Sequence, residues 1–283
     1  PLTAADVAIL AASGRESVDA VRRPRVRVFS SGEEVWTPAK GPFDASKHVR
    51  DANRAGLAAL LAPHAEVSDG GVLPDDFEAW IDALRDAVRA CDVVVTTGGA
   101  SVGRADHAKA ALEAAARGRV AFGRLHMKPG KPTTFATLDA NSYDAGDAPG
   151  DPRYAFALPG NPVSALVTAT LLVVPALKRL GGYSSELCPP PEAPLELADA
   201  VALDAVRPEY HRVTLDWRPA ARDDAGTDQY RARSAAGSLV ATSTGVQRSS
   251  RLLSMKGAVA LACLPERGRA ANAAPGASAT LPA

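Results

Sequence analysis

The stretch that most constrains this chain is "CDVVVTTGGASVGRADHAK", residues 91–109. A β-branched run with no polar alternation is the pattern of a strand buried on both faces, and so of a parallel sheet covered by helices. Parallel strands need long crossovers, so the flanking sequence must alternate strand and helix. It does. "RVRVFS" reads as a strand, "VRDANRAGLAALLA" carries apolar residues at helical spacing, and "AEVS" is a short strand. "DDFEAWIDALRDAVRA" is a helix whose acidic first turn suits the helix dipole. After "DVVVTT" come the helix "ADHAKAALEAAARG", the strand "YAFALPG" and the helix "PVSALVTATLLVV". The expected class is α/β, a three-layer parallel-sheet domain over residues 23–182. "DANSYDAGDAPGDPR" is a polar loop insertion within it.

Past Gly182 the texture changes. "CPPPEAPLE" has neither helical nor strand period, and residues 183–192 read as a linker. Short runs follow, "HRVTLDW", "QYRARSA", "LVATS" and "AVALACLP", separated by turn residues. They predict a small antiparallel β domain over residues 193–283.

Composition excludes several functions. With 283 residues, 46% of them hydrophobic, the chain can bury a sizeable core. Thirty-two basic and 32 acidic residues give a formal net charge of +0, so no basic field recruits nucleic acid. Three dispersed cysteines form neither a metal site nor a disulfide framework, which suits a reducing, cytoplasmic setting. The longest apolar run, "VSALVTATLLVVPAL", is too short for a membrane span and contains Pro175. The start, "PLTAADVAILAASG", lacks an initiator Met and a signal-peptide layout and reads as a cut inside a longer protein.

Three turns suit an anion. Gly98, Gly99, Ser101 and Gly103 lie between a parallel strand and a helix, where backbone N–H groups converge and the helix N-terminus adds partial positive charge. Arg104-Ala105 stands where a Walker loop has Lys and Ser/Thr, so the loop is no NTPase signature. It serves a phosphate or oxyanion, or is a tight structural turn. Asp106 serves a metal or merely the helix dipole. In "LHMKPGKPTTF", Lys128 and Lys131 flank a stiff Pro129-Gly130 turn with no acid nearby in sequence, an arrangement for phosphate or molybdate, or else a solvated turn. "ALPGNPVSA" offers Pro159, Gly160, Asn161 and Pro162 at another helix start. All three fall at the same end of one expected sheet, where open α/β folds bind ligands.

Together "TTGGASVGRAD", "KPGKP" and "LPGNPVSA" resemble the molybdopterin molybdenumtransferase family, which includes the gephyrin E domain. "FSSGEEV", "VRDANR" and "GVLPDD" upstream, and "RPEYHR" and "STGVQRSSRLLSM" downstream, extend the resemblance over nearly the whole chain. It implies an enzyme that takes adenylylated molybdopterin and molybdate, releases AMP with Mg2+ or another divalent cation, and leaves molybdenum on the dithiolene. It implies catalytic roles for Glu34, Asp75 and Asp106, with Glu34 and Asp106 holding the metal. Asp51 and Asn53 match a substrate-binding motif in which Ala52 replaces the usual hydroxyl residue, and Glu33 stands where the family has Asp. The Gly98–Gly103 loop and the Pro159–Pro162 turn would hold molybdopterin and its phosphates. Molybdate would lie among Lys128, Lys131, Arg207 and Ser249. The resemblance also implies a homodimer in the full-length protein, with a molybdopterin adenylyltransferase as pathway neighbour. Residues 1–22 would be the remnant of a preceding domain that completes the active site, so the chain alone would bind pterin without turnover. Two rival activities share parts of the pattern: the adenylyltransferase itself, and a gephyrin-like scaffold.

Overall fold

The computed structural model describes residues 2–98, 105–115, 118–139, 152–219, 237–267 and 277–280. "QYRARSA" and most of the polar insertion lie outside them. The chain divides into two compact units. One comprises Pro1–Arg124, Pro132–Gly160 and Thr168–Pro189. The other comprises Leu125–Lys131, Asn161–Val167 and Pro190–Ala283.

The first unit opens with α1 (Ala4–Ala12), capped by Thr3 and Asp6 in a reciprocal capping box and burying no residue. Then follow β1 (Arg25–Ser31), α2 (Asn53–Leu61), β2 (Glu66–Leu73), α3 (Phe77–Ala90), β3 (Val93–Thr97), α4 (Ala105–Ala115), β4 (Arg119–Phe122), β5 (Thr134–Leu138) and β6 (Arg153–Leu158). The six strands form one sheet in the order β2-β1-β3-β6-β5-β4. β2, β1, β3 and β6 are parallel, as the valine run demands. β5 and β4 run antiparallel at one edge. The parallel-sheet expectation holds for this four-strand body, and the antiparallel edge adds "RVAF" and "TFATL", strands too short to have shown a period.

β3 is buried along its whole length. On one face of the sheet, Phe29, Val94, Ala155 and Ala157 pack with Trp80, Leu84 and Val88 of α3 and Ala108, Ala111 and Leu112 of α4. The α3 stripe is amphipathic, and Asp76 caps it by accepting from Ala79 N–H (2.8 Å). Phe156, whose side chain alternates to the opposite face, lines a cavity there with Leu172 and Ala176 of the long helix. This is the expected three-layer arrangement.

The apolar run after the third anion-suited turn is longer than it reads. α5 (Pro162–Thr168), a π turn (Ala169–Val173) and α6 (Val174–Leu180) make one helix of 19 residues. Pro175 does not end it. In the π turn Val174 N–H reaches back to Ala169 carbonyl, and Pro175 enters at the start of α6, where its missing N–H costs least. The helix has the length and composition to cross a membrane, but more than half of its apolar window is buried, as in a core helix.

The second unit contains a closed five-stranded barrel. β7 (Glu192–Leu197), β8 (Glu209–Arg218), β9 (Ser238–Ser243), β10 (Ala260–Leu264) and β11 (Ala277–Thr280) follow the order β10-β11-β7-β9-β8, and β8 pairs with β10 to close it. All pairings are antiparallel except β7 with β9. β7 arises within "CPPPEAPLE", which had no visible strand period. Leu195, Val213, Ala241, Ala260, Ala262 and Leu264 fill the interior.

Candidate functional site

In the sheet unit the chain moves from β1 to β2 on one side and crosses to β3 on the other. The carboxyl ends of β1 and β3 therefore flank a topological switch point, where ligand crevices form. Both strands turn polar there. Ser30, Ser31, Thr96 and Thr97 are buried, and Ser31 Oγ donates to Thr97 carbonyl (3.2 Å).

Three turns meet at this point. Gly98 has φ +82°, and a Cβ on it would lie 2.5 Å from Ser31 carbonyl oxygen. A Cβ on Gly160 would stand 3.2 Å from Gly98 Cα. Only glycine fits such closeness at Gly98, because an L side chain is strained at that φ and clashes besides. Gly32, after β1, has φ +126°, and the exposed Glu34 carboxylate lies over it.

Asp51 and Asn53 hold the turns together. Asp51 Oδ1 accepts from Ser30 Oγ (2.9 Å) and from the N–H groups of Asn53 and Arg54 (both 3.1 Å), and Oδ2 accepts from Arg54 Nε (2.5 Å). Burial opposes its ionisation, but the Arg54 guanidinium and these donors outweigh it, and its pKa lies below the usual value. Asn53 Nδ2 donates to Thr97 Oγ1 (3.2 Å) and Gly160 carbonyl (2.9 Å), tying α2 to β3 and to the turn after β6. Both residues are thus engaged within the protein.

The other sequence-predicted residues fall as follows. Asp75 is exposed before α3, and the helix cap is its neighbour Asp76. Gly99, Ser101 and Gly103 lie outside the described residues. Asp106 is in the first turn of α4, and its side chain is outside the described residues. Pro159 and Gly160 belong to the sheet unit, Asn161 and Pro162 to the barrel unit.

All four residues assigned to molybdate lie in the barrel unit. The Lys128-Pro129 bond is cis. Lys128 N–H donates to Pro208 carbonyl (2.9 Å) and Lys128 carbonyl accepts from Tyr210 N–H (2.7 Å), laying the KPGK turn along "RPEYHR". This overturns, for Lys128, the expectation of no acid nearby. Lys128 Nζ stands 3.1 Å from Glu209 and 3.4 Å from Asp204. Arg207 approaches the same Asp204 carboxylate at 3.8 Å. N–H bonds from Val206 and Arg207 hold Asp204 at a pKa of about 2, aided by Lys128. Lys131 is exposed and has no carboxylate within 4 Å among the described residues.

Ser249 Oγ accepts from Asn161 Nδ2 (3.2 Å), and its carbonyl accepts from Val163 N–H (3.1 Å). The loop bearing it is anchored by Arg212, which is fully buried. Arg212 bonds Ser254 Oγ through Nε (3.3 Å) and Nη2 (3.2 Å), and reaches the carbonyls of Tyr210 and Arg248. Burial lowers its pKa to about 10. Sequence reading missed Asp204, Glu209, Arg54, Thr97 and Arg212. Arg54, Thr97, Glu209 and Arg212 stand inside quoted motifs, whereas nothing near Asp204 announces it.

The match to known proteins follows this architecture. Residues 27–179, more than half of the chain, match the family described as "Probable molybdopterin binding domain". Gephyrin of Dictyostelium discoideum is 35% identical over 93% of this chain and 37% of that protein. A molybdopterin molybdenumtransferase of Haemophilus influenzae is 39% identical over 67% of this chain and 43% of its own length. The chain thus spans well under half of these relatives. The solved molybdopterin biosynthesis moea protein of Pyrococcus horikosii superposes with a TM-score of 0.69 at 25% identity, covering 99% of this chain and 60% of that one. The chain belongs to the molybdopterin-binding domain family, with relatives named molybdopterin molybdenumtransferase and gephyrin.

Proposed function

We propose that the protein serves molybdenum cofactor biosynthesis by inserting molybdenum into adenylylated molybdopterin with release of AMP. The observation that carries this reading is the meeting of the Gly32, Gly98 and Gly160 turns at the β1/β3 switch point, in a chain of the molybdopterin-binding family. Backbone N–H groups and strand-end hydroxyls suit the pterin phosphate. Asp51 and Asn53 act by holding those turns. Molybdate, as substrate, is taken up by Lys128, Lys131, Arg207 and Ser249. Lys131 is the cation among them with no carboxylate within 4 Å among the described residues, and molybdate competes with Asp204 for Lys128 and Arg207.

No three carboxylate, histidine or cysteine side chains cluster for a metal among the described residues. The cation that the resemblance implies is Mg2+, which keeps several waters and takes one or two carboxylates plus substrate phosphate. Glu34 is an exposed oxygen donor of this kind, and Asp106 would be the second. When bound, the cation would neutralise phosphoanhydride charge. From the resemblance, the working form is a cytoplasmic homodimer, and a molybdopterin adenylyltransferase supplies its substrate.

The test supplies adenylylated molybdopterin, molybdate and Mg2+ without ATP. The expected result is pterin binding by this chain and by the full-length protein, AMP release by the full-length protein alone, and molybdate affinity about tenfold weaker in Lys131→Ala and Arg207→Ala, the scale of one charge-assisted contact. Consumption of ATP with unadenylylated molybdopterin would instead identify an adenylyltransferase. Unchanged molybdate affinity in both variants would remove the assigned anion site.

A further inference from the structure

The antiparallel edge of the sheet carries a feature that the proposed reaction does not use. Phe122, Phe135, Tyr154 and Phe156 share the face opposite the α3/α4 core and line a cavity of about 350 Å3 with Leu172, Ala176, Arg179 and Leu180. The rings make a continuous floor. Phe135 lies 4.8 Å from Phe156, 5.6 Å from Phe122 and 6.1 Å from Tyr154, with the Tyr154 ring only 11° from parallel.

The helix makes the wall. Leu172, Ala176 and Leu180 follow at four-residue spacing, and the small side chain of Ala176 leaves the room between two leucines. Among the described residues one cation stands at the rim. Arg179 is exposed, donates to Tyr183 carbonyl (3.2 Å), and has no carboxylate within 4 Å among the described residues. The Gly98 and Gly160 turns lie beyond the end of β6, whereas Tyr154 stands near its start.

The geometry points to a second small-molecule site, a slot for a planar aromatic anion that stacks on Phe135 and Tyr154 and pairs with Arg179. A flat floor facing an aliphatic wall selects a flat apolar body, and the Arg179 guanidinium at the rim selects its charge. The volume is within the range of small-molecule pockets. The site is independent of the reaction proposed above.

The probe is 2-naphthoate, with 2-naphthamide as its uncharged isostere, titrated calorimetrically into the 283-residue chain. The expected result is saturable binding of one equivalent at sub-millimolar concentration. Arg179→Gln should weaken naphthoate about tenfold and leave naphthamide unchanged, because only the charged contact is lost. Ala176→Leu should abolish both by filling the slot. If Ala176→Leu misfolds by circular dichroism, Arg179→Gln still decides. Absence of saturable binding, or equal affinity for naphthoate in wild type and Arg179→Gln, would overturn the site. So would a dimer covering the slot, seen as self-association abolished by Leu172→Arg.

Discussion

The two ends of the six-stranded sheet use the same residue type for opposite purposes. At the amino end, Asp92 is clamped by cations. Arg22 grips it at 2.6 and 2.7 Å, Arg153 at 3.2 Å, and Arg25 N–H donates at 2.8 Å. Its own carbonyl accepts from Tyr154 N–H (3.0 Å), so one aspartate ties the starts of β1, β3 and β6. At the carboxyl end, Asp51 binds a hydroxyl, two N–H groups and Arg54, while the strands beside it end in hydroxyls and glycines. The first end is closed by charge. The second is held together but keeps glycine backbone exposed, as an anion site needs.

The largest expected effect comes from deleting each aspartate. Asp92→Ala leaves the half-buried Arg153 and the Arg25 N–H without their partner. It should cost about 3 kcal/mol of stability, the lower range for breaking a buried pair, since Arg22 is itself largely exposed. Pterin affinity of the folded protein should be unchanged. Asp51→Ala should cost about 1–2 kcal/mol, the scale of lost hydrogen bonds, yet abolish most pterin binding. Urea unfolding and pterin titration of both variants check the pair. Equal binding loss in both would mean that the two ends are not distinct.

This contrast explains what the sequence discloses. The parallel sheet was legible because β3 is buried on both faces, and a valine run has no other use. The glycines of the Gly98 and Gly160 turns were legible because a positive φ at the first and close approach at both favour a residue without a side chain, whereas the KPGK turn, expected at the same end of the sheet, belongs to the barrel unit. The partners of Lys128 were not, because Asp204 and Glu209 reach it across a long stretch of chain, and sequence spacing carries no such distance. The roles of Asp51 and Asn53 were likewise hidden. A motif shows that they matter, and only the fold shows them bonded to Ser30, Thr97 and Gly160. The edge strands β4 and β5 are too short for periodicity to appear.

Acid should dissolve the closed end. Arg22, with help from the Arg25 N–H and Arg153, overcomes the opposing effect of burial and holds Asp92 at a pKa of about 2, against 3.8 for the free side chain. The unfolded chain therefore binds the proton first. The stabilisation is complete above about pH 5 and is lost as pH falls toward 2. Its size is about 2 kcal/mol, from 1.36 kcal/mol per unit. Urea midpoints of wild type and Asp92→Ala should converge as the pH drops through this window. A gap that stays constant from pH 6 to 2 would show that Asp92 acts through packing and not through charge.

The smallest effect is at Gly160, and it tests the open end alone. A methyl group there meets Gly98 Cα at 3.2 Å, so the turn must give by a few tenths of an ångström. Gly160 carries no positive φ, unlike Gly98, and so incurs no backbone strain. Gly160→Ala should thus cost less than about 1 kcal/mol. The displacement nevertheless falls on the carbonyl that Asn53 Nδ2 holds at 2.9 Å, and through it on Thr97. Pterin affinity should fall several-fold while the acid transition set by Asp92 stays where it is, because distant sites act additively. Calorimetric titration with molybdopterin, paired with urea unfolding at pH 3 and 6, reads both quantities. A variant that shifts the acid transition without weakening the pterin would place Gly160 with the closed end and undo the division between the two.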